Sequence, residues 1–120
     1  MAFTGTALGG QNSTEVSYGW GQSGSVFILG TDAVNSYDVD TDAIFCAITF
    51  LEDTKFHAGA NGLNSTDNTM FPNTSTSQSG IGSNTEVVDT PSVFPKGVTI
   101  YGRWTTIQLV DGKVIAYIGR

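Results

Sequence analysis

The apolar positions of this chain fall in short runs bounded by turn residues, and the last quarter shows the pattern most clearly. There Pro95 and Gly97 lead into a run rich in β-branched and aromatic residues, Val98 to Val110. Asp111-Gly112 separates it from a second apolar run that ends near Tyr117. Asp-Gly between two such runs predicts a C-terminal β-hairpin, because a two-residue type I′ turn needs positive φ at both central positions. The register that follows sets Val110 opposite Lys113, Leu109 opposite Val114, Ile107 opposite Ala116 and Thr105 opposite Ile118. The last three pairs form a largely apolar face, expected to be the core side. The other face carries Trp104, Thr106, Gln108, Ile115 and Tyr117, which is too apolar for a face turned wholly to water. A second layer or a second subunit is expected to pack there.

The remaining runs follow the same style. Glu15-Val16-Ser17-Tyr18-Gly19-Trp20 alternates, with Val16, Tyr18 and Trp20 on one side. After the turn residues Gly21 to Gly24, Ser25-Val26-Phe27-Ile28-Leu29 is continuous and of strand length, consistent with burial on both faces. Residues 31–42 are acidic and turn-rich. Residues 43–51, Ala-Ile-Phe-Cys-Ala-Ile-Thr-Phe-Leu, are the most apolar run and predict the central strand. Glu52-Asp53-Thr54 reads as a tight turn, with Lys55-Phe56-His57 starting the return.

Two segments break the pattern. Residues 59–86 form a long polar loop in which Leu63, Met70, Phe71 and Ile81 are the apolar anchors. Structureless loops beyond about 12–15 residues are uncommon in compact domains unless they serve a function, so this tract is expected to bind something or touch a neighbouring subunit. Residues 1–15 are small and polar and bury too little to offset their own ordering entropy. They read as an extended N-terminal arm, held by the domain body or by a neighbouring chain. The expectation is one all-β domain over residues 16–120, a small β-sandwich or barrel-like fold preceded by that arm.

Composition supports this class. Charged residues make up 13% of the 120 positions, about half the usual share, and good helix formers are scarce. The net charge of −6 is unevenly spread. Residues 1–95 hold ten acids against Lys55 alone, a balance of −9, and residues 96–120 hold four cations against Asp111, a balance of +3. An acidic chain of this kind is a poor match for nucleic acid, which is gripped by clustered Lys and Arg. The asymmetry permits association between copies through opposite charge; the plainer reading is that these charges are solvated. No apolar run approaches the roughly 18 residues of a membrane helix, and no signal-peptide pattern opens the chain, so assembly in a cytoplasm is expected. Cys46 is the single cysteine and sits in an apolar run, where a buried, inert thiol is expected.

Candidate chemistry is thin. Asp38-Val39-Asp40-Thr41-Asp42 starts like a calcium hand, but Ala43 and Thr49 stand where that loop needs Gly and a bidentate Glu. A looser calcium site from Asp38, Asp40 and Asp42 stays open beside a solvated acidic turn. His57 is the only histidine and has no metal-ligand spacing around it. Ser23 does not sit in a nucleophile elbow, because the second glycine comes one residue early. Glu52 and Asp53 are adjacent and diverge if extended, which is wrong for an acid–base pair. These observations point to no catalytic residue, no cofactor and no metal, and the expectation is a protein that is not an enzyme. Trp20 and Tyr101, with Trp104, suit either a contact interface or an aromatic sugar platform. Ile115 and Tyr117 join Trp20, Tyr101 and Trp104 as expected interface residues.

Two blocks together resemble a known family. They are Ala47-Ile48-Thr49-Phe50-Leu51-Glu52-Asp53-Thr54-Lys55-Phe56 and, after a variable stretch, Phe94-Pro95-Lys96-Gly97-Val98-Thr99-Ile100-Tyr101-Gly102-Arg103-Trp104-Thr105-Thr106-Ile107-Gln108-Leu109 with Gly112-Lys113-Val114-Ile115-Ala116-Tyr117. The pattern resembles small structural proteins of tailed bacteriophages, of the marine and cyanobacterial type. The first 40 residues and the 59–86 loop lie outside the resemblance. It implies a virion component, assembled in the host cytoplasm: a capsid decoration (cement) protein, or a neck- or fibre-associated or receptor-binding module. The implied partners are the major capsid protein and further copies of the chain, with a homotrimer over a three-fold axis as the expected assembly.

Overall fold

The structure is a computed structural model that describes residues 23–59, 62–67, 70–78, 80–82 and 85–120. The N-terminal arm, the alternating run at 15–20 and Trp20 lie outside the described residues. Regular structure is nearly all β, as the composition leads one to expect. The strands are β1 (Ser25–Leu29), β2 (Val34–Asn35), β3 (Ile44–Phe50), β4 (Lys55–Phe56), β5 (Leu63–Ser65), β6 (Thr99–Ile107), β7 (Leu109–Asp111) and β8 (Lys113–Gly119). A 3₁₀ turn, Ser36–Asp38, follows β2. The main sheet runs β1-β8-β3-β6-β2, with β5 also on β6, and curls into a nearly closed barrel. β4 and β7 pair separately.

The most apolar run does take the central place. β3 is paired antiparallel on both sides, Ile48 lying between Ala116 of β8 and Ile100 of β6, and Phe45 between Ile118 and Trp104. This overturns the expected hairpin register. β3 lies between β6 and β8, so Val114, Ala116 and Ile118 face Phe50, Ile48 and Phe45 rather than Leu109, Ile107 and Thr105. The turn chemistry at Asp111-Gly112 is nevertheless used, since Gly112 has φ +106°. It makes a corner from the small β4–β7 ladder into the main sheet.

The core is what the apolar runs supply. Phe45, Ile48, Trp104, Ile107, Leu109, Val114 and Ala116 are inaccessible to solvent, and Ile28, Phe50 and Ile118 nearly so. Trp104 belongs here rather than on an outer face. Its Nε1–H donates to the Pro72 carbonyl at 2.8 Å, and its ring lies over Gly102, where a Cβ would stand 2.7 Å from two ring carbons. The expected alternation fails because Thr106 and Ile107 are both buried where β2 and β5 flank the end of β6, so counting back from Ile107 puts Trp104 on the wrong side. β1 is also a correction. It lies at the end of the strand order with one side outward, leaving Phe27 55% and Leu29 58% exposed, so it is not buried on both faces.

The described residues of the polar tract at 59–86 are held by hydrogen bonds more than by apolar anchors. Leu63 is buried in β5, but Met70 and Ile81 are largely exposed. Thr74, itself buried, bonds Leu63 twice: its N–H donates to the Leu63 carbonyl (3.1 Å) and its Oγ1 accepts the Leu63 N–H (2.9 Å). Asn73 Oδ1 accepts from the backbone N–H groups of Ser75 and Thr76, a side-chain substitute for a backbone turn. Asn73-Thr74-Ser75 has the form of a glycan acceptor, but Asn73 is only 1% exposed, which closes it to attachment.

The two blocks that carry the family resemblance pack on each other. Thr54 and Phe94 exchange both backbone hydrogen bonds, Gly97 N–H donates to the Phe50 carbonyl (2.7 Å), and Lys96 N–H donates to Asp53 Oδ1 (3.0 Å). Beneath them Phe50, Phe56 and Phe94 form a mutual cluster with ring centroids 4.9–5.9 Å apart. Gly112 closes the same junction: a Cβ there would meet Thr54 Oγ1 at 2.3 Å and Thr54 Cα at 2.7 Å. Gly112→Ala is therefore expected to cost roughly 2 kcal/mol or more in urea unfolding, from positive φ and overlap with backbone together. Gly30→Ala, where φ is +86° but the surrounding space is open, is expected to cost only about 1 kcal/mol.

Candidate functional site

The outward face of the main sheet gathers three of the large apolar side chains left exposed among the described residues, Phe27, Leu29 and Tyr101. Because cross-strand partners share a face, the pairings define its rows. One row runs Ser25, Tyr117, Ala47, Tyr101 across β1, β8, β3 and β6; the next runs Phe27, Ile115, Thr49, Thr99; Leu29 pairs with Lys113 at the end. The partner face of each strand, with Ile28, Val114, Ile48 and Trp104, fills the core.

Tyr101 is the most exposed large residue of the face, at 76%, and Tyr117 and Ile115 are half-buried. Ala47, only 8% exposed, is the floor between the two tyrosines. Their backbones stand two strand spacings apart, about 10 Å. The polar groups in the middle bond within the face: the Thr49 and Thr99 hydroxyls bond each other at 2.8 Å, and Cys46 Sγ donates to the Tyr117 carbonyl at 3.4 Å.

Charge is confined to the ends. At one end Lys113 meets Glu52 at 3.4 Å. At the other, Arg120 pairs with Asp40 and, at 3.8 Å, with Asp42, while the Arg103 guanidinium donates to the Arg120 carbonyl. An apolar centre with a polar rim is the arrangement of protein contact surfaces. The pairing to Arg120 also bears on the calcium expectation: Asp40 and Asp42 already face a cation, and among the described residues no group of three or more His, Cys, Asp and Glu is placed to hold a metal ion. His57 is exposed, its Nδ1 within 2.8 Å of the Ala58 carbonyl.

Of the residues singled out from sequence, the structure brings Tyr101, Ile115 and Tyr117 onto this one face, puts Trp104 in the core and does not describe Trp20. The sequence reading missed Phe27, Leu29, Ala47, Thr49 and Thr99. Alternation along Thr99-Ile100-Tyr101 could have flagged the last of these; nothing local marks Phe27 as outward in a continuous apolar run.

Comparison with known proteins finds no matching family model, no matching curated sequence and no matching solved structure.

Burial pushes the Cys46 thiol above its ordinary value, against a smaller opposing effect of its backbone hydrogen bond and of Arg103. A raised folded-state pKa means that the folded chain holds this proton more tightly than the unfolded chain. The stabilisation is fully present below the unfolded value near 9 and is lost as pH rises through the folded one. Stability measured by urea unfolding is expected to fall above pH 9 in the native chain and to fall less in Cys46→Ala. The native thiol is also expected to react with iodoacetamide at pH 8 more slowly than the urea-unfolded chain.

Proposed function

We propose that this chain is a structural protein of a tailed-phage virion, most simply a capsid decoration protein that attaches to the outer shell in many copies and stabilises it. The observation that carries this reading is the uncharged outer face around Tyr101, Ala47, Tyr117 and Ile115. It is built from the strands that hold the two resemblance blocks, so the segments that resemble virion proteins are also those that form a contact-like surface. The major capsid protein is the proposed partner, with lateral contacts to sister copies in a closed trimer. Many modest contacts then sum to stable attachment.

A second reading, a glycan- or receptor-binding module at a virion tip, is favoured by one feature. Tyr101 and Tyr117 stand on either side of a small residue beside the Thr49 and Thr99 hydroxyls, an arrangement that suits stacking against a sugar ring.

The double substitution Tyr101→Ser with Ile115→Ser tests the first reading. Attachment to purified shells is expected to weaken about thirtyfold or more, the scale of a lost contact hot spot, with an unchanged circular dichroism spectrum. Full occupancy by the variant would remove the face from the argument. A copy number of a few per virion, together with glycan-array binding abolished by Tyr101→Ser, would replace the decoration reading with the second one.

A further inference from the structure

One edge of β1 carries no strand among the described residues, where only β8 pairs with it. The Ile118 N–H donates to the Gly24 carbonyl at 2.9 Å, which fixes the phase of that ladder. Hydrogen-bonded pairs recur at every second residue of an antiparallel pair, so Val26 and Ile28 turn their backbone groups toward β8. Ser25, Phe27 and Leu29 turn theirs toward the open edge. This edge has no charge, no proline and no bulge, the devices that normally keep a strand edge from recruiting a partner. The exposed side chains of Phe27 and Leu29 lie beside it.

The chain outside the described residues ends at this edge. Residues 1–22 lead into a turn at Ser23 and Gly24, where Gly24 has φ +117°, and β1 starts at the next residue. The sequence just upstream is the alternating run Val16-Ser17-Tyr18-Gly19-Trp20, separated from β1 by Gly21-Gln22-Ser23-Gly24. A four-residue, glycine-bearing connection is a common hairpin loop. It sets Trp20 opposite Ser25, Tyr18 opposite Phe27 and Val16 opposite Leu29. This register fits the edge in three respects. It presents backbone groups to Ser25, Phe27 and Leu29, whose own groups point outward. It covers both exposed apolar side chains with apolar partners. It places the small residues Ser17 and Gly19 on the core side, opposite Ile28 and Val26, where the sheet runs out.

We propose that the β1 edge is a docking surface for the chain's own residues 15–20, which add to it as an antiparallel strand. The consequence is a wider outer face whose first row reads Trp20, Ser25, Tyr117, Ala47, Tyr101. The inference rests on the edge and the upstream sequence and stands apart from the virion reading.

Residue-resolved amide hydrogen exchange on the full chain tests it. The Phe27 and Leu29 amides are expected to exchange about a hundredfold or more slower than exposed amides of the 31–33 turn. That protection is expected to survive tenfold dilution. In the same register the Tyr18 N–H faces β1 and the Ser17 N–H faces solvent, so Tyr18→Pro is expected to abolish the protection and Ser17→Pro to keep it. Rapid exchange at Phe27 and Leu29 in the native chain overturns the proposal. Protection that disappears on dilution assigns the edge to a second copy and overturns it equally. Equal loss in both proline variants overturns the register and with it the assignment.

Discussion

Gly112 sits where three segments have to meet, and the topology depends on that close approach. Its α-carbon lies against the backbone of Asp53 and Thr54, in space that any side chain would fill. Thr54, fully buried, turns its hydroxyl to the Glu52 carbonyl while its backbone pairs with Phe94. The turn after β3, the Pro-Gly loop before β6 and the corner between β7 and β8 are thus held at one point. With the corner fixed there, Leu51 N–H reaches the Lys113 carbonyl and β8 starts alongside β3. The last strand is thereby delivered to the far side of the central one, and β6 takes the near side.

Much of this was legible before the structure. The central strand, the turns at Glu52–Thr54 and Pro95–Gly97, and the buried status of Ile107, Leu109, Val114, Ala116 and Ile118 all follow from composition and local pattern. What escaped is which strand pairs with which. A backbone ladder does not distinguish β6 from β3 as a neighbour for β8, and a positive-φ glycine serves a corner as well as a hairpin. Burying the most apolar strand along both edges decides the matter, and that is a property of the whole sheet. Trp104 shows the same limit in the candidate site. Strict alternation from Ile107 sends it outward, but consecutive burial at Thr106 and Ile107 resets the count.

The charge asymmetry along the sequence also looks different in space. Two of the four cations in the terminal quarter are engaged with acids from the earlier part of the chain, Lys113 with Glu52 and Arg120 with Asp40 and Asp42. All these partners are well exposed, so each contact adds at most about 1 kcal/mol to stability. Their effect is to neutralise locally, which leaves less of the +3 balance for steering copies together than the linear sequence suggests. Association through this chain is better sought on its uncharged face than in its net charge.

That face is also inexpensive to cover. Removing water from a polar group costs free energy unless the group keeps a partner, so a sheet surface lined with unsatisfied hydroxyls resists burial. Here the hydroxyls of Thr49 and Thr99 already bond each other, and the Cys46 thiol already bonds the Tyr117 carbonyl. Within these two rows the hydroxyl groups of Tyr101, Tyr117 and Ser25, and one O–H of the threonine pair, are left for a partner to match. A surface of this kind gains from apolar burial while giving up little hydration. The tyrosine tips can then set the orientation of whatever is bound, because each needs a hydrogen-bond partner once water is excluded.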